Sequence, residues 1–410
     1  MRLRVGAVTW FVLVGGAAVG IRRSIRAVFV SAFAVLALVA GSGPVGASGG
    51  ATITTVLSGL AGPRGVAFDG HGNLYVSETG KFFDIAPGPF GISRTGKVDR
   101  FRLTGSGAHL VWSTPFDSLY DSSHGQEVLG PEGIHVLCAS GGDNKDWEGE
   151  DCQIRMIESE SRDGVNATTP GLKFTQIGHL FALNPENGHA VSKSDVGDQQ
   201  YAWAAANKSL WVEFPDSNPY GVVMTRDRHT GKLRTFVVDA GANTVSEVMR
   251  DGTNRVIAFI PNDPVRDSTP TCAAVGPDGA LYVGTLDLVA NLFVFGPGQS
   301  HVYRVDPDTH ENFIAAGNHV WASGLTTLTA CTFDRSGNFW ATEMFQPNAA
   351  GPPGDLVRVP FAHPSVHQHV GGGALPLPGG VTPGSAGSLY VSVNSADVTP
   401  GSGKIVLVKP

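Results

Sequence analysis

Chemically capable side chains recur at one position in this sequence, immediately before a small residue that opens an apolar segment. The small residues are Gly65, Gly133, Gly221, Cys272, Ala330 and Gly380. The residues that precede them are Arg64, Glu132, Tyr220, Thr271, Thr329 and Gly379. They offer a guanidinium, a carboxylate, a phenol and two hydroxyls. We predict that these side chains line one mouth of a channel and bind a small polar ligand there.

A second set of polar residues is expected at the same level. Asn218 lies two residues before Tyr220, and Glu78 and Glu343 each end the apolar segment that returns after a hairpin turn. With Glu132 they supply three carboxylates and an amide, which are oxygen ligands suited to a divalent cation. The alternative is structural: Arg64 pairs with a glutamate and joins neighbouring parts of the fold.

The elements that must position these residues are short strands arranged in a repeat. Each full copy reads turn, apolar strand, glycine-containing turn, apolar strand. Four copies run from Gly62 to Glu78, Thr269 to Thr285, Thr327 to Glu343 and Pro378 to Val393, and two shorter ones begin at Gly130 and Ser217. The aligned small residues are 50 to 88 positions apart. A repeat of this length built from short strands predicts a β-propeller.

A further strand follows each copy and fixes the predicted number of blades. The six segments are GKVDRF from Gly96, GHLFAL from Gly178, GKLRTF from Gly231, HVYRV from His301, GDLVRV from Gly354 and GKIVLV from Gly403. We read each as the third strand of a blade. The strand ATITTVL from Ala51 has no partner before it, and GKIVLV has no fourth strand after it. We therefore predict an all-β, six-bladed propeller closed by pairing of the N- and C-terminal strands, which removes two exposed sheet edges.

Two segments interrupt this pattern. The stretch from Gln199 to Asn207 predicts a short surface helix, and the stretch from Pro360 to Gly380, rich in Gly, Pro and His, predicts a loop.

Residues 1–47 differ in composition from the rest and predict a leader before one domain at 51–410. They contain five Arg, no acidic residue and two apolar runs, followed by small residues up to Ala47. This is typical of a signal peptide cleaved near Ala47, which indicates a secreted or extracytoplasmic protein. Neither run reaches the roughly 18 to 20 residues of a membrane span, so we expect no integral span in the mature chain. A membrane anchor made of both runs is the alternative.

Charge limits the classes of partner. The whole chain has 29 basic and 36 acidic residues, a formal net charge of −7, and loss of the five leader arginines makes the mature chain −12. We expect no nucleic-acid partner for such an acidic, exported chain, which we also expect to be a monomer.

Four cysteines follow the leader, and export permits disulfides. Cys138 and Cys152 flank an acidic segment, and we predict that they pair. Cys272 and Cys331 lie in the first strands of neighbouring blades but are offset by one residue in the alignment. Because side chains alternate along a strand, we expect them to face opposite ways, as buried thiols.

Three other patterns have limited functional meaning. The acidic segment Asp143–Asp151 lacks the spacing of a known calcium loop and favours a solvated surface. His363, His367 and His369 form a pattern that suits a transition metal if the segment is ordered, although loop histidines are usually only exposed. The only G-x-S-x-G pattern lies at residues 46–50, outside any strand–turn–helix, so a nucleophilic hydrolase is not expected.

Several segments resemble the ScyD/ScyE family of exported bacterial proteins. They are DSNPYG from Asp216, DAGANT from Asp239, PTCAAVGPDGALYVG from Pro270 and VYRVDP from Val302. The resemblance covers nearly all of the chain after the leader. It implies an exported six-bladed propeller of the broad NHL, strictosidine-synthase and gluconolactonase shape, and it implies no defined reaction. The chain departs from the family at Glu132, where relatives usually carry His, so an inherited role there does not follow.

Three functions remain open from the sequence. The first is a binding protein with a small-molecule or protein site at the channel mouth. The second is a channel-mouth enzyme, either a lactone hydrolase assisted by a divalent cation or a strictosidine-synthase-like enzyme. The third is a cell-surface interaction scaffold.

Overall fold

The structure is a computed structural model of the 410-residue chain. It describes residues 50–81, 90–121, 127–138, 152–210, 215–260, 267–309, 319–345 and 354–410. The predicted leader at 1–47, its cleavage position at Ala47 and the acidic segment Asp143–Asp151 lie outside the described residues.

The described chain is almost entirely β-structure. Its strands are β1 (Thr52–Leu60), β2 (Pro63–Phe68), β3 (Asn73–Glu78), β4 (Phe90–Ile92), β5 (Gly96–Thr104), β6 (Gly107–Phe116), β7 (Leu119–Asp121), β8 (Glu127–Leu129), β9 (Pro131–Cys138), β10 (Cys152–Glu158), β11 (His179–Leu183), β12 (Ala190–Asp195), β13 (Pro219–Arg226), β14 (Leu233–Asp239), β15 (Thr244–Val248), β16 (Asn254–Phe259), β17 (Pro270–Val275), β18 (Leu281–Thr285), β19 (Ser300–Val305), β20 (Val320–Leu325), β21 (Leu328–Phe333), β22 (Asn338–Glu343), β23 (Gly354–Pro360), β24 (Gln368–Leu375), β25 (Val381–Pro383), β26 (Leu389–Val393) and β27 (Gly403–Lys409). The helices are α1 (Arg162–Thr168) and α2 (Val196–Ala206), with a 3₁₀ turn at Lys208–Leu210 and a π-helical turn at Ala290–Val294.

These strands form seven antiparallel sheets. Six have four strands, in the orders β2-β3-β5-β6, β9-β10-β11-β12, β13-β14-β15-β16, β17-β18-β19-β20, β21-β22-β23-β24 and β25-β26-β27-β1. We call these the first to sixth sheets. The seventh is a small sheet in the order β4-β7-β8. In the sixth sheet β1 pairs with β27, from Thr52 opposite Lys409 to Leu60 opposite Gly403.

The first strand of each four-stranded sheet lies beside the first strand of the next. β2 contacts β9, β9 contacts β13, and the series continues through β17, β21 and β25 back to β2. The six strands surround a central channel. This arrangement of radial sheets confirms the predicted all-β propeller class.

Glycine permits the close approach of these innermost strands. A Cβ on Gly65, Gly133, Gly221 or Gly380 would lie only 2.6 to 2.7 Å from a backbone oxygen of the neighbouring innermost strand. No real side chain tolerates that contact, so these four aligned glycines are required by sterics and do not merely mark turns.

The hydrophobic core lies between neighbouring sheets. One cluster joins the fourth and fifth sheets through Tyr282, Phe339 and Val357, all nearly inaccessible to solvent. Each sheet therefore buries both faces, which explains why second strands such as Asn73–Glu78 are buried at every residue.

The disulfide between Cys138 and Cys152 confirms the first cysteine prediction. A second disulfide joins Cys272 and Cys331, whose Cα atoms are 5.7 Å apart, and the expectation of two opposed thiols was wrong. That expectation applied the alternation of side chains along one strand to two strands of neighbouring blades. They belong to stacked sheets, where the front of one sheet meets the back of the next. A one-residue offset therefore turns the two side chains towards each other.

Three further predictions can be compared with the described residues. The predicted helix is present as α2. The segment from Pro360 to Gly380 is not only a loop, because β24 occupies Gln368–Leu375. GKLRTF is not a third strand, because β14 pairs directly with innermost β13 and is the second strand of its sheet. Within the described ranges, no helix is long and apolar enough to cross a bilayer.

We predict that the Cys272–Cys331 disulfide stabilises the fold more than Cys138–Cys152, because it closes a longer loop. The sequence separations are 59 and 14 residues. The chain-entropy relation then gives about 4 kcal/mol for the first bridge and about 3 kcal/mol for the second. Urea titration of the two paired Cys→Ser variants measures both losses. A larger loss for the Cys138/Cys152 variant would contradict the prediction.

Candidate functional site

The central channel encloses about 970 Å³ and is lined along its length by β2, β9, β13, β17, β21 and β25. Burial decreases along these strands. Arg64, Glu132 and Thr329 near the strand starts are buried, whereas Gly70 and Arg335 beyond the strand ends are exposed. The channel is thus open where the innermost strands end and lined by buried polar groups where they begin. Arg64 also lines a second, small pocket of about 10 Å³.

The polar groups at the buried end centre on Arg64. Its Nε is 3.7 Å from Glu132 Oε2, and its Nη2 is 3.8 Å from Glu127 Oε1 and 3.3 Å from the carbonyl oxygen of Val128. Burial alone would lower the pKa of Arg64, but Glu132, Tyr220 and Glu127 raise it above its usual value. Arg64 therefore remains a buried cation.

The carboxyl group of Glu132 is held in its neutral form. Burial raises the pKa of Glu132 to about 8, against the opposing effect of Arg64. The side chain is 1% exposed, and neither of its oxygens has a hydrogen-bond partner within the protein. Burial likewise raises the pKa of Tyr220 to about 12, so its phenol stays protonated at neutral pH. These neutral groups can donate and accept hydrogen bonds at the end of the channel.

Thr271 and Thr329 line the same end of the channel, but their hydroxyls already donate hydrogen bonds within the protein. Thr271 Oγ1 donates to the Leu328 carbonyl at 2.7 Å, and Thr329 Oγ1 donates to the Pro378 carbonyl at 2.8 Å. Each bond joins one innermost strand to the start of the next. These two bonds hold neighbouring innermost strands together. Of the predicted set, Arg64, Glu132 and Tyr220 are therefore the residues with polar groups that can contact a ligand.

The structure places the second predicted tier outside the channel lining. Glu78 accepts the backbone N–H of Ala61 at 2.6 Å, and Glu343 accepts that of Thr326 at 2.7 Å. Asn218 donates its backbone N–H to Asp239 at 2.8 Å. In each case a carboxylate at the end of a second strand holds the segment that leads into the innermost strand.

The same contact explains the paired motifs that carry the family resemblance. Asp239 also accepts the hydroxyl of Ser217 at 2.7 Å and the N–H of Ala242 at 2.7 Å. DSNPYG and DAGANT are therefore two halves of one hydrogen-bonded corner, a role that Asp side chains commonly have at tight turns.

Sequence reasoning missed Glu158. This residue ends β10 opposite Pro131, as Glu78 ends β3 opposite Pro63. It is fully buried, and neither of its carboxyl oxygens has a hydrogen-bond partner. Burial, with the nearby Asp117 and Glu132, raises its pKa well above the usual value. The repeat would have shown it, but the second copy lacks the LYV-like strand on which the alignment depended.

His135 was also missed. It lines the channel three residues after Glu132 on β9, and its Nδ1 has no hydrogen-bond partner. Burial lowers its pKa to about 4, so it is neutral at physiological pH. The polar groups available to a ligand are therefore mostly uncharged, apart from Arg64.

Among the described residues, two groups of three potential metal ligands have ligand atoms within 4.8 Å of one another: Glu343, Asp355 and His369, and His71 with Cys138 and Cys152. The second is not a thiolate site, because its two cysteines form a disulfide. Neither group contains Glu132 or Asn218.

The radial sheets and the central channel define the chain as a β-propeller, and the comparisons agree. No protein-family model matches the chain, and no curated protein matches it. Similar solved structures include a glucose dehydrogenase with a TM-score of 0.50 and 12% identity, over 88% of this chain and 99% of that one.

Two others are the PQQ domain of pyranose dehydrogenase from Coprinopsis cinerea and a gluconolactonase from Xanthomonas campestris. The first has a TM-score of 0.49 and 14% identity over 89% of this chain and 97% of that one. The second has a TM-score of 0.46 and 13% identity over 88% and 90%. At these identities the likeness concerns the fold alone.

We predict that Glu132→Gln loses less stability than the wild-type protein as the pH rises from 5 to 9. The pKa of Glu132 is about 8 in the folded protein, against the ordinary value of 4.5 that it has in the unfolded chain. Its stabilising contribution is therefore complete below about pH 4.5 and is lost as the pH rises through about 8. Glutamine does not titrate, so the free energy of unfolding should fall less between pH 5 and pH 9, by on the order of a few kcal/mol. Urea titrations at several pH values measure this.

Glu247→Gln is the matched control. Burial raises the pKa of Glu247, but hydrogen bonds from Arg234 and Arg255 outweigh that effect and lower it. Its contribution is present above the ordinary pKa and is lost as the pH falls, so between pH 5 and pH 9 this variant should lose as much unfolding free energy as the wild-type protein. A wild-type loss over the same range in Glu132→Gln would contradict a protonated Glu132.

Proposed function

We propose that the chain is an exported, monomeric, six-bladed β-propeller of the ScyD/ScyE type, with a leader at 1–47 and one domain at 51–410. Six four-stranded sheets and the pairing of β1 with β27 support the blade number and closure by the two chain ends. Two disulfides are compatible with a compartment outside the cytoplasm.

We further propose that it binds a small polar molecule in the channel, with Arg64, Glu132 and Tyr220 as the recognition groups. One observation carries this proposal. At the buried end of an open channel, Arg64 Nε and both carboxyl oxygens of Glu132 lack hydrogen-bond partners within the protein. A buried polar group without a partner costs about 1–3 kcal/mol.

The missing partners define the ligand chemistry. Arg64 Nε needs an acceptor, whereas a protonated Glu132 both donates and accepts. Adjacent oxygen functions, such as a hydroxyl beside a carbonyl, satisfy all three atoms at once. The apolar channel walls around Val66, Ile134 and Val222 suit a carbon skeleton. The position of these groups inside the channel favours a small molecule over a protein surface.

Catalysis in the channel is the second candidate, and the neutral carboxyl of Glu132 favours it. A carboxyl with a pKa of about 8 retains a transferable proton at neutral pH, as general acid catalysis requires. A cation held by Glu132, Asn218, Glu78 and Glu343 has less support, because Glu78 and Glu343 hold backbone segments elsewhere. The lactone-hydrolase alternative therefore rests on acid catalysis.

The proposal is tested by retention of small molecules. The immobilised mature protein is incubated with a small-molecule extract of the producing cells, washed and analysed by mass spectrometry. We expect Arg64→Met to reduce retention of the specific molecules by about tenfold or more, because a hydrogen bond to a charged group contributes about 1.5–3 kcal/mol. Glu132→Leu should reduce retention by about twofold to tenfold, because a hydrogen bond between neutral groups contributes about 0.5–1.5 kcal/mol. Arg335→Gln, at the exposed end of the channel, is the control and should retain the wild-type set.

The same samples separate binding from catalysis. A binding protein returns the retained molecule unchanged after long incubation, whereas an enzyme converts it, and Glu132→Gln slows that conversion. Identical retention by wild-type protein, Arg64→Met and Glu132→Leu would overturn the channel site altogether.

A further inference from the structure

A second polar cluster lies on the fifth sheet, away from the channel lining. Glu343 ends β22 and is directly opposite Asp355 on β23, while His369 on β24 is opposite Val357. Asp355 and Val357 are two residues apart, so all three polar side chains project from the same face. His369 Nδ1 lies 3.2 Å from Glu343 Oε2 and 3.2 Å from Asp355 Oδ2.

The two carboxylates of this cluster are buried and incompletely bonded. Glu343 is 0% exposed and Asp355 is 2% exposed. Glu343 Oε1 accepts the Thr326 N–H, which fixes the carboxylate and leaves Oε2 directed at His369. Glu343 Oε2 and Asp355 Oδ1 have no hydrogen-bond partner. A single N–H at Nδ1 cannot satisfy both acids.

The first sheet shows how the fold contacts a similar pair of acids. There Glu78 is opposite Lys97, as Glu343 is opposite Asp355. Lys97 Nζ lies 3.1 Å from Glu78 and 2.6 Å from Asp99, so one ammonium with three donors contacts both carboxylates. The fifth sheet has a second acid where the first has the lysine. The group that faces its two acids is the His369 imidazole, whose Nδ1 carries at most one N–H.

We propose that Glu343, Asp355 and His369 bind a divalent first-row transition metal ion, with Zn²⁺ as the best fit. Metal–ligand distances of about 2.0–2.1 Å place tetrahedral ligand atoms about 3.4 Å apart. The two nitrogen–oxygen distances of 3.2 Å are close to that value. A divalent charge also balances two carboxylates and a neutral imidazole.

The donor set selects the class of ion. An imidazole nitrogen with two carboxylate oxygens suits zinc and its neighbours, whereas calcium and magnesium prefer oxygen alone. The His369 side chain is 36% exposed, which gives an ion an approach and leaves a fourth position for water. The sequence pattern of three histidines pointed to this segment, but only His369 belongs to the cluster.

The proposal is tested by isothermal titration of the mature protein, first treated with EDTA, with ZnCl₂ and then with CoCl₂. We expect one ion of Zn²⁺ per chain, and for Co²⁺ the strong visible absorption of a tetrahedral complex. His369→Gln and Asp355→Asn should each weaken Zn²⁺ binding by about 100-fold or more. Glu343→Gln keeps the oxygen that accepts the Thr326 N–H and should also lose affinity.

His367→Gln is the control variant, because His367 contacts the Pro364 carbonyl and not the cluster. It should bind Zn²⁺ as the wild-type protein does. Circular dichroism of each variant establishes that the fold is retained. The proposal is overturned if the folded wild-type protein binds no stoichiometric Zn²⁺. It is equally overturned if His369→Gln binds normally, or if His367→Gln loses the ion.

Discussion

The close approach of neighbouring innermost strands is the constraint on which the rest of this molecule depends. Gly65, Gly133, Gly221 and Gly380 leave no room for a side chain at the points where one strand meets the next. Hydroxyl groups reinforce those contacts: Ser77 donates to the Glu132 carbonyl, Thr271 to that of Leu328, and Thr342 to that of Gly379 at 2.7 Å. Because these bonds involve backbone atoms, they set the spacing of the sheets independently of the side chains that vary between them.

The buried acids that end the second strands are of two kinds. Glu78, Asp239 and Glu343 accept backbone N–H groups and hold the corners before the innermost strands. Glu158 occupies the equivalent place in the second sheet but accepts none. The segment it would hold is instead paired in the small sheet, where Leu129 of β8 lies opposite Leu119 of β7. The loss of one structural contact thus leaves a protonatable group near Glu132.

Local pattern was enough to predict many of the strands, because strand and turn signals depend on short-range geometry. The repeat located β2, β3, β17 and β18, and the aligned glycines coincide with the closest contacts between strands. Contacts between sheets could not be predicted from local pattern. Cys272 and Cys331 meet because stacked sheets present opposite faces, which alternation along one strand does not reveal. The roles of Glu78 and Glu343 depend on the N–H groups of Ala61 and Thr326, whose positions only the folded chain defines.

The pairing of β1 with β27 joins residues from the two ends of the chain. From Thr52 to Lys409 this pairing closes a segment of more than 350 residues. Closing so long a segment costs more conformational entropy than forming a hairpin between consecutive strands, so the pairing forms late in folding. Until it forms, both strands present unpaired edges.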